Sequence, residues 1–170
     1  MPGMRIYLVR HAESVDRVPG MPDAARCLSA RGRVSFREMA RRFREAGALP
    51  TRMFTSPFVR AVQTAEILSE TLQYDGEVAV APLLAPGFDV EGLNAVLDVC
   101  PGAREVALVG HEPDLGRVLT SLLSLKTLYA LRKGAIAALD VPDGGNRVRA
   151  DFAWLLAGDR RIEDPAMLVP

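Results

Sequence analysis

Apolar residues recur along the chain in two alternating patterns, short continuous runs and longer stretches with the spacing of an amphipathic helix. The short runs predict four strands, at residues 5–9, 51–56, 78–81 and 105–109. The periodic stretches predict four helices, at residues 29–46, 57–72, 90–99 and 113–125. Strands and helices therefore alternate through most of the chain, which is typical of a parallel sheet covered by helices.

The first predicted helix has the clearest pattern. Ser29 is of a type that favours the position before a helix, and Gly47 is of a type that favours the position after one. Between them, one helical face is apolar and the other carries arginines. The apolar face comprises Val34, Phe36, Met39, Ala40 and Phe43. We therefore expect this helix to pack on the sheet through that face.

The last third of the chain has a different pattern. Two apolar runs, at residues 135–141 and 148–155, flank the turn sequence PDGGN, which predicts a β-hairpin. Added to the alternating region, the hairpin gives a three-layer α/β/α sandwich, whose mostly parallel sheet has an antiparallel edge. No linker or internal repeat divides the sequence, and we expect residues 1–170 to form a single domain.

Composition limits the classes of function. Acidic and basic residues balance at 21 each, so no global charge favours nucleic acid. All the basic residues except Lys126 and Lys133 are arginine, which suits phosphate binding but is also a bias of GC-rich genomes. Cys27 and Cys100 have no metal-binding spacing and imply no disulfide framework. Without a signal-peptide pattern or a long apolar run, we expect a cytoplasmic protein that does not span a membrane.

The chain contains two histidines, and each follows an apolar run. His11 comes directly after Arg10 at the end of the first predicted strand, and His111 follows Gly110 at the end of the fourth. In α/β sheets, ligands bind at the carboxyl ends of the parallel strands. A lone histidine in such a place is more often structural, but two on the same sheet edge predict a shared site.

The helix after the second strand supplies another cation. Arg60 falls in its first turn, beside unpaired backbone amides that favour a bound dianion, although an ordinary solvated position is the alternative. Thr64 lies one turn further along the same face. Ser56 either caps this helix or donates to a phosphate oxygen, and Gln63 is expected to point outward.

Two arginines, two histidines and a helix N-terminus on one sheet edge suit phosphoryl transfer. This reaction needs mainly charge stabilisation and in-line placement of the reacting groups. A neutral imidazole can attack phosphorus and carry the group as phosphohistidine, which water then hydrolyses. Because the sequence contains no metal-binding motif, we expect neither a metal ion nor a cofactor.

Three segments, LVRHAES, TSPFVRAVQTAEIL and VALVGHEPDL, occur in this order and together resemble the signature segments of the histidine phosphatase superfamily, which has the phosphoglycerate mutase-like fold. The short length and the stretches RCLSARGR and RKGAIAAL are most similar to its small SixA-type branch, the phosphohistidine phosphatases. The resemblance extends from Met4 to Phe152. The family usually has glycine after the first histidine, whereas this chain has Ala12, so the site must tolerate a Cβ there.

The resemblance implies a role for each residue at the strand ends. His11 would be the phosphorylated nucleophile, and His111 would be the second pocket histidine, which stabilises the transition state. Arg10 and Arg60 would bind the phosphoryl group. The resemblance thus implies substrate binding by Arg10, Arg60, His111 and the backbone amide of Glu112, and the Ser56 hydroxyl is the further candidate noted above.

The general acid is the part of the site that the sequence leaves open. Larger members of the family supply a glutamate between the second and third segments, where this chain has only Asp89 and Glu91. Asp89 is more simply explained as a helix cap, and Glu91 as an acid in the first turn. Glu112 is a third candidate, expected to point outward from the strand end.

The open question of the acid bears on the substrate. An alkoxide that leaves a phosphate ester needs a proton, whereas an imidazole needs less help because its pKa is about 6.5. We therefore expect a phosphatase acting on phosphohistidine in a carrier protein, with neither nucleic acid nor membrane as a partner. A phosphatase, or less readily a mutase, for a small phosphate ester is the alternative, and a non-enzymatic phosphate-binding module is the third. Arg17, Arg26 and Arg31 either line an open rim that faces an acidic partner or are plain solvated charges.

Overall fold

The computed structural model describes residues 3–170, which contain one seven-stranded sheet. The strands are β1 Met4–Arg10, β2 Arg52–Thr55, β3 Val78–Val80, β4 Glu105–Gly110, β5 Ile136–Val141, β6 Asp151–Ala157 and β7 Arg160–Ile162. The α-helices are α1 Ala30–Glu45, α2 Val59–Leu72, α3 Val90–Asp98 and α4 Asp114–Leu122. Short 3-10 turns lie at Asp23–Ala25, Pro82–Leu84 and Pro165–Met167. No helix within residues 3–170 has both the length and the apolar character needed to cross a membrane.

The order of strands across the sheet is β3-β2-β4-β1-β5-β6-β7. The first four in this order are parallel to one another, and β5, β6 and β7 continue the sheet in antiparallel pairing. β1 lies at the junction, with β4 parallel on one side and β5 antiparallel on the other. The predicted α/β sandwich is confirmed, and its antiparallel part is three strands wide.

Alternate residues of β1 face the two helical layers. Ile6 and Leu8 belong to the apolar cluster that contains α3 and α4, whereas Tyr7 and Val9 belong to the cluster that contains α1 and α2. All four side chains are buried. A strand covered by helices on both faces must be apolar on both, which explains why β1 is a continuous apolar run rather than an alternating one.

In the first two helices, the structure confirms one prediction and corrects two. The Ser29 hydroxyl accepts from the N–H of Gly32 at 3.0 Å, so Ser29 caps α1 as predicted. Val34 was predicted on the apolar face but is 67% exposed, because that face is narrower than the periodicity indicated. α2 begins at Val59 rather than at Pro57, which still belongs to the turn after β2.

The predicted hairpin is present, but its second strand begins at Asp151 rather than at residue 148. The connection folds onto α3 instead of extending the hairpin. Arg147 is 3% exposed, and its guanidinium donates to the carboxylate of Asp98 at 2.9 Å. The backbone N–H of Arg147 also donates to the side-chain oxygen of Asn94 at 2.8 Å. These contacts hold the chain away from ladder pairing.

The strand β7 was not predicted. It pairs with β6 across the two-residue turn Gly158-Asp159, in which Gly158 has a φ of +57°. A Gly-Asp pair between two strands is a hairpin signal, but the three residues of β7 are too few to show a period. The tail then docks through Leu168, which is 4% exposed.

A substitution of Phe43 on α1 tests whether α1 packs on the sheet against Tyr7 and Val9 of β1. Its ring is fully buried, with its centre 4.7 Å from that of Tyr7 in an edge-to-face arrangement. We expect Phe43→Ala to lower the free energy of unfolding by about 3–5 kcal/mol, because it removes apolar contacts and leaves a cavity. The control, Val34→Ala on the same helix, should change it by about 0.5 kcal/mol or less. Urea titrations measure both variants, and equal losses would show that the assignment is wrong.

Candidate active site

The carboxyl ends of β1 and β4 lie side by side. In their parallel pairing Arg10 is opposite Gly110, and the backbone N–H of His11 donates to the carbonyl of Gly110 at 3.1 Å. The next residue on each strand is a histidine. As a result, the ring centres of His11 and His111 are 5.2 Å apart, with an angle of 58° between the ring planes. The structure thus brings together the two histidines that are far apart in the sequence.

Two hydrogen bonds orient the ring of His11, which is 6% exposed. Its Nδ1 lies 2.7 Å from the carbonyl oxygen of Ala12, and since a carbonyl can only accept, we assign the ring hydrogen to Nδ1. Nε2 then carries no hydrogen and presents its lone pair. The Nε–H of Arg60 donates to this nitrogen at 3.2 Å. The lone pair of His11 therefore faces a guanidinium group.

The turn after β1 is fixed by α2 and by the loop before β5. The Thr64 hydroxyl accepts from the N–H of Ala12 at 3.1 Å and donates to the carbonyl of Arg60 at 2.7 Å. The N–H of Gly134 donates to the carbonyl of His11 at 3.1 Å. The methyl group of Ala12 is buried in the apolar cluster beneath α1 and α2, so this site tolerates a Cβ where the family usually has glycine.

Arg60 is held by an acid that sequence reasoning missed. Its Nη1 donates to the backbone carbonyl of Asp23 at 2.8 Å, and its Nη2 donates to the Asp23 carboxylate at 3.1 Å. The guanidinium carbon also lies 5.1 Å from the centre of the Phe58 ring. Arg60 is 5% exposed, so the solvated alternative is wrong. No local pattern connects Asp23 to a helix that begins far along the chain.

The ring of His111 is bonded on one nitrogen and free on the other. Its Nε2 lies 2.7 Å from the Ser56 hydroxyl oxygen, which also accepts from the N–H of Phe58 at 3.2 Å. We assign the ring hydrogen of His111 to Nδ1, because the hydroxyl hydrogen of Ser56 then has Nε2 as its acceptor. Nδ1 is buried and has no hydrogen-bond partner in the protein. Ser56 does not cap α2, because Phe58 holds the N-cap position without a side-chain bond.

Arg10 resembles His111, because one of its nitrogens is hydrogen-bonded and another is buried without a hydrogen-bond partner. Its Nη1 donates to the carbonyl of Leu131 at 2.8 Å, whereas its Nε is buried without a hydrogen-bond partner. Native proteins rarely leave buried donors unsatisfied. Two such donors, Nε of Arg10 and Nδ1 of His111, therefore point to a binding site for an acceptor.

Gln63 points inward, contrary to the sequence-based expectation. Its side-chain oxygen accepts from the N–H of Leu28 at 2.7 Å, which ties the loop before α1 to α2. On that loop, Arg26 donates to the carboxylate of Asp23 at 2.8 Å. Two exposed arginines, Arg17 and Arg31, also pair with acids, at 3.4 Å with Asp23 and at 2.8 Å with Glu13.

Comparisons with known proteins agree with this geometry. A profile of the histidine phosphatase superfamily (branch 1) matches residues 6–85. An uncharacterised protein of Picosynechococcus sp. is 30% identical over 154 residues, which cover 86% of this chain and 90% of that protein. The phosphohistidine phosphatase SixA of Escherichia coli K12 is 27% identical over 156 residues, which cover 91% of this chain and 94% of that protein. The solved structure of the protein histidine phosphatase SixA complexed with tungstate superposes with a TM-score of 0.81 at 25% identity, over 91% of this chain and 97% of that chain.

The chain belongs to the histidine phosphatase superfamily. Its likeness to SixA, in sequence and in fold, places it in the SixA-type branch with the phosphoglycerate mutase-like architecture. The resemblance found in the three signature segments is thereby confirmed. The chain is a phosphatase of this superfamily, and the arrangement of its strand ends has to be understood in those terms.

Both histidines of this phosphatase are neutral near pH 7. Burial is the main cause that lowers the pKa of His11 to about 3. The hydrogen bond to Ala12 acts in the opposite direction, and the charges of His111, Arg60 and Arg10 add to the effect of burial. Burial likewise lowers the pKa of His111 to about 4, with Arg60 acting in the same direction. The uncharged state keeps the lone pair of His11 available.

The acids that could protonate a leaving group differ in their environments. The Asp89 carboxylate accepts from the N–H of Gly92 at 2.9 Å and caps α3, as predicted, while Glu91 is exposed in the first turn. Glu112 does not point outward as expected. Burial raises its pKa, and one oxygen accepts from the N–H of Gly116 at 2.8 Å.

The second oxygen of Glu112 is buried without a hydrogen-bond partner. A Cβ at Gly116 would lie 2.6 Å from this oxygen, so the carboxyl group packs closely against α4. Among residues 3–170, no three histidine, cysteine, aspartate or glutamate side chains converge in a way that would hold a metal ion.

The low pKa values of the two histidines predict acid sensitivity. Unfolded histidine has a pKa of about 6.5, so below that pH the unfolded chain binds protons that the native site excludes. We expect the free energy of unfolding to fall as the pH drops from 6.5 towards 4, with each histidine contributing about 1.4 kcal/mol per pH unit. In His11→Ala this dependence should be shallower by about the contribution of one histidine. Denaturant titrations across this range test the prediction, and equal slopes in the two proteins would contradict it.

Proposed function

We propose that this phosphatase removes the phosphoryl group from phosphohistidine in a carrier protein, through a covalent intermediate on His11. The observation that supports this best is the unprotonated Nε2 of His11, which accepts from the Nε–H of Arg60 at 3.2 Å. An uncharged imidazole nitrogen is a good nucleophile for phosphorus. The donors beside it, on Arg10, Arg60 and His111, match the oxygens of a phosphoryl group.

In the first proposed step, the Nε2 lone pair of His11 attacks phosphorus. The bond between phosphorus and the substrate imidazole breaks, and its electron pair returns to that ring, which leaves neutral if its other nitrogen already carries a proton. In the second step, water attacks phosphorus in line with the bond to His11. The electron pair returns to Nε2, and both hydrogens of the water leave with inorganic phosphate.

Three side-chain donors would stabilise the transition states of both steps. Charge develops on the phosphoryl oxygens, which Nε–H of Arg10, Nε–H of Arg60 and Nδ1–H of His111 would stabilise. Ser56 would act through His111, because its hydroxyl lies 2.7 Å from Nε2 of that ring and is assigned as the donor to it. The backbone amide of Glu112 follows His111 directly and would complete the set of donors. The proposed chemistry involves neither a metal ion nor a cofactor.

The leaving group is the reason for favouring phosphohistidine. Asp89 caps α3 and Glu91 faces solvent, so neither is placed as a proton donor at the histidines. Asp23 touches Arg60, but it is a weak proton donor. Burial raises its pKa, yet the hydrogen bonds and charges of Arg60 and Arg26 outweigh burial and hold the pKa below the usual value. With none of these three acids available as a proton donor, the site suits an imidazole better than an alkoxide.

A phosphatase for small phosphate esters is the second candidate, and one observation favours it. Burial raises the pKa of Glu112, and one oxygen of its carboxyl group has no hydrogen-bond partner. A carboxyl group that keeps its proton closer to neutral pH is the type of acid that protonates an alkoxide. Ester hydrolysis that depends on Glu112 would identify this alternative.

The covalent step predicts that phosphate can be trapped on one residue. Quenching the enzyme during turnover of a ³²P-labelled substrate should leave acid-labile, base-stable label on His11. His11→Ala should lose both the label and at least about 10³-fold in turnover, because no other imidazole among residues 3–170 presents a lone pair to Arg60. The control is Asp16→Asn, an exposed loop position that should keep both. If the label were found on His111 instead, His111 and not His11 would be the nucleophile.

The choice of substrate is tested by direct comparison of turnover. We expect kcat/KM on a phosphohistidine-carrying protein to exceed that on an alkyl phosphate by at least about 10²-fold, because imidazole departure needs less acid catalysis. Glu112→Gln should leave phosphohistidine turnover within about threefold of the wild type. A preference for the alkyl phosphate, abolished by Glu112→Gln, would establish the second candidate instead.

A further inference from the structure

We propose that Asp23 is a positioning residue that fixes the guanidinium of Arg60, so that its Nε–H points at the atom that attacks phosphorus. This inference rests on the proposed role of His11 as the nucleophile. Asp23 lies in the loop between β1 and α1, outside the three signature segments. It touches Arg60 rather than the reacting atoms, which defines the kind of role it has.

Asp23 holds Arg60 at two points. The backbone carbonyl of Asp23 accepts from Nη1 at 2.8 Å, and its carboxylate accepts from Nη2 at 3.1 Å. A planar guanidinium bonded at both terminal nitrogens cannot rotate about its long side chain. The third nitrogen, Nε, is then directed at Nε2 of His11 at 3.2 Å. One acidic residue therefore sets the direction of the donor that faces the nucleophile.

Asp23 is itself fixed by the loop. Its second carboxylate oxygen accepts from Nε of Arg26 at 2.8 Å, and Arg26 also donates to the carbonyl of Val15 at 3.2 Å. The loop is closed by a bridge between Ser14 and Leu28. These contacts connect the acid to both ends of the loop, so its geometry does not depend on Arg60 alone.

The same loop is tied to the helix that carries Arg60. The N–H of Leu28 donates to the side chain of Gln63 at 2.7 Å, one turn along α2 from Arg60. Acid, loop and arginine therefore form one connected unit. A donor fixed before the reaction contributes more to the transition state than one that must be ordered during it.

The hydrogen bond from Arg60 to His11 must change partner during the reaction. When Nε2 forms its bond to phosphorus, the lone pair that accepted the Nε–H is consumed. The Nε–H then lies beside the phosphoryl oxygens, where negative charge develops. Because this interaction exists only as the new bond forms, loss of Asp23 should reduce kcat more than it raises KM.

The test uses double-mutant kinetics with an aryl phosphate. We expect Asp23→Ala to lower kcat roughly 10- to 100-fold, because misplacement of a catalytic donor by about 1 Å has effects of this size. Asp23→Asn should lose less, since its amide oxygen still accepts from Nη2. Asp16→Asn, an exposed acid of the same loop, is the matched control and should behave as the wild type. In an Arg60→Ala background, Asp23→Ala should add less than about twofold.

A multiplicative effect of the two substitutions would overturn the proposal, because Asp23 would then act independently of Arg60. So would a loss of affinity for substrate with unchanged kcat. Should Asp23→Ala fail to fold, Asp23→Asn with and without Arg60→Ala gives the same comparison.

A measurement without turnover separates this proposal from the proposed function. In ¹⁵N spectra the Nε–H of Arg60, identified by its loss in Arg60→Ala, should be protected from solvent exchange in the wild type and in Asp16→Asn. It should exchange freely in Asp23→Ala. If this pattern is found in a protein that forms no phosphohistidine, Asp23 positions Arg60 and the proposed function is what fails. Protection retained in Asp23→Ala overturns the positioning role.

Discussion

The parallel pairing of β1 with β4 is the constraint on which the site depends. Its register sets Arg10 opposite Gly110, and the two following residues are the histidines whose ring centres are 5.2 Å apart. A slip of one residue in this pairing would move each side chain to the opposite face of the sheet. Because β1 is buried on both faces, such a slip would exchange the side chains packed in the two helical layers, and would for example take Tyr7 away from Phe43. Packing in the two helical layers therefore determines the geometry of the polar edge.

Burial and positive charge oppose each other at this edge. Burial lowers the pKa of Arg10 and of Arg60, which means that the protein disfavours their charged forms there. Each arginine has an acid near it that acts in the opposite direction, Glu112 for Arg10 and Asp23 for Arg60. The two histidines add no charge because they stay neutral. The site can thus hold two cations close to His11 without gathering four positive groups in a buried space.

The local sequence pattern predicts the site residues that lie at the ends of strands or at the starts of helices. His11 and His111 follow continuous apolar runs, and Arg60 falls in a helix turn next to a strand, so their convergence follows from the architecture of α/β sheets. Asp23 and Gln63 were missed or misplaced because their partners lie far away in the chain. An acid in a loop rich in proline and glycine has no periodic neighbour that indicates its direction. Long-range pairing of loop residues is what the sequence alone conveys least.

The backbone of His11 is hydrogen-bonded on both sides, to Gly110 through its N–H and to Gly134 through its carbonyl, each at 3.1 Å. Its ring is anchored as well, by the bond from Nδ1 to the carbonyl of Ala12. As the proposed nucleophile, a ring held in this way would have almost no conformational entropy left to lose when it reacts. It also cannot adapt to a molecule that approaches from another direction. Discrimination among phosphorylated molecules then becomes a matter of trajectory, because only those that can deliver phosphorus along the axis of a stationary lone pair are able to react.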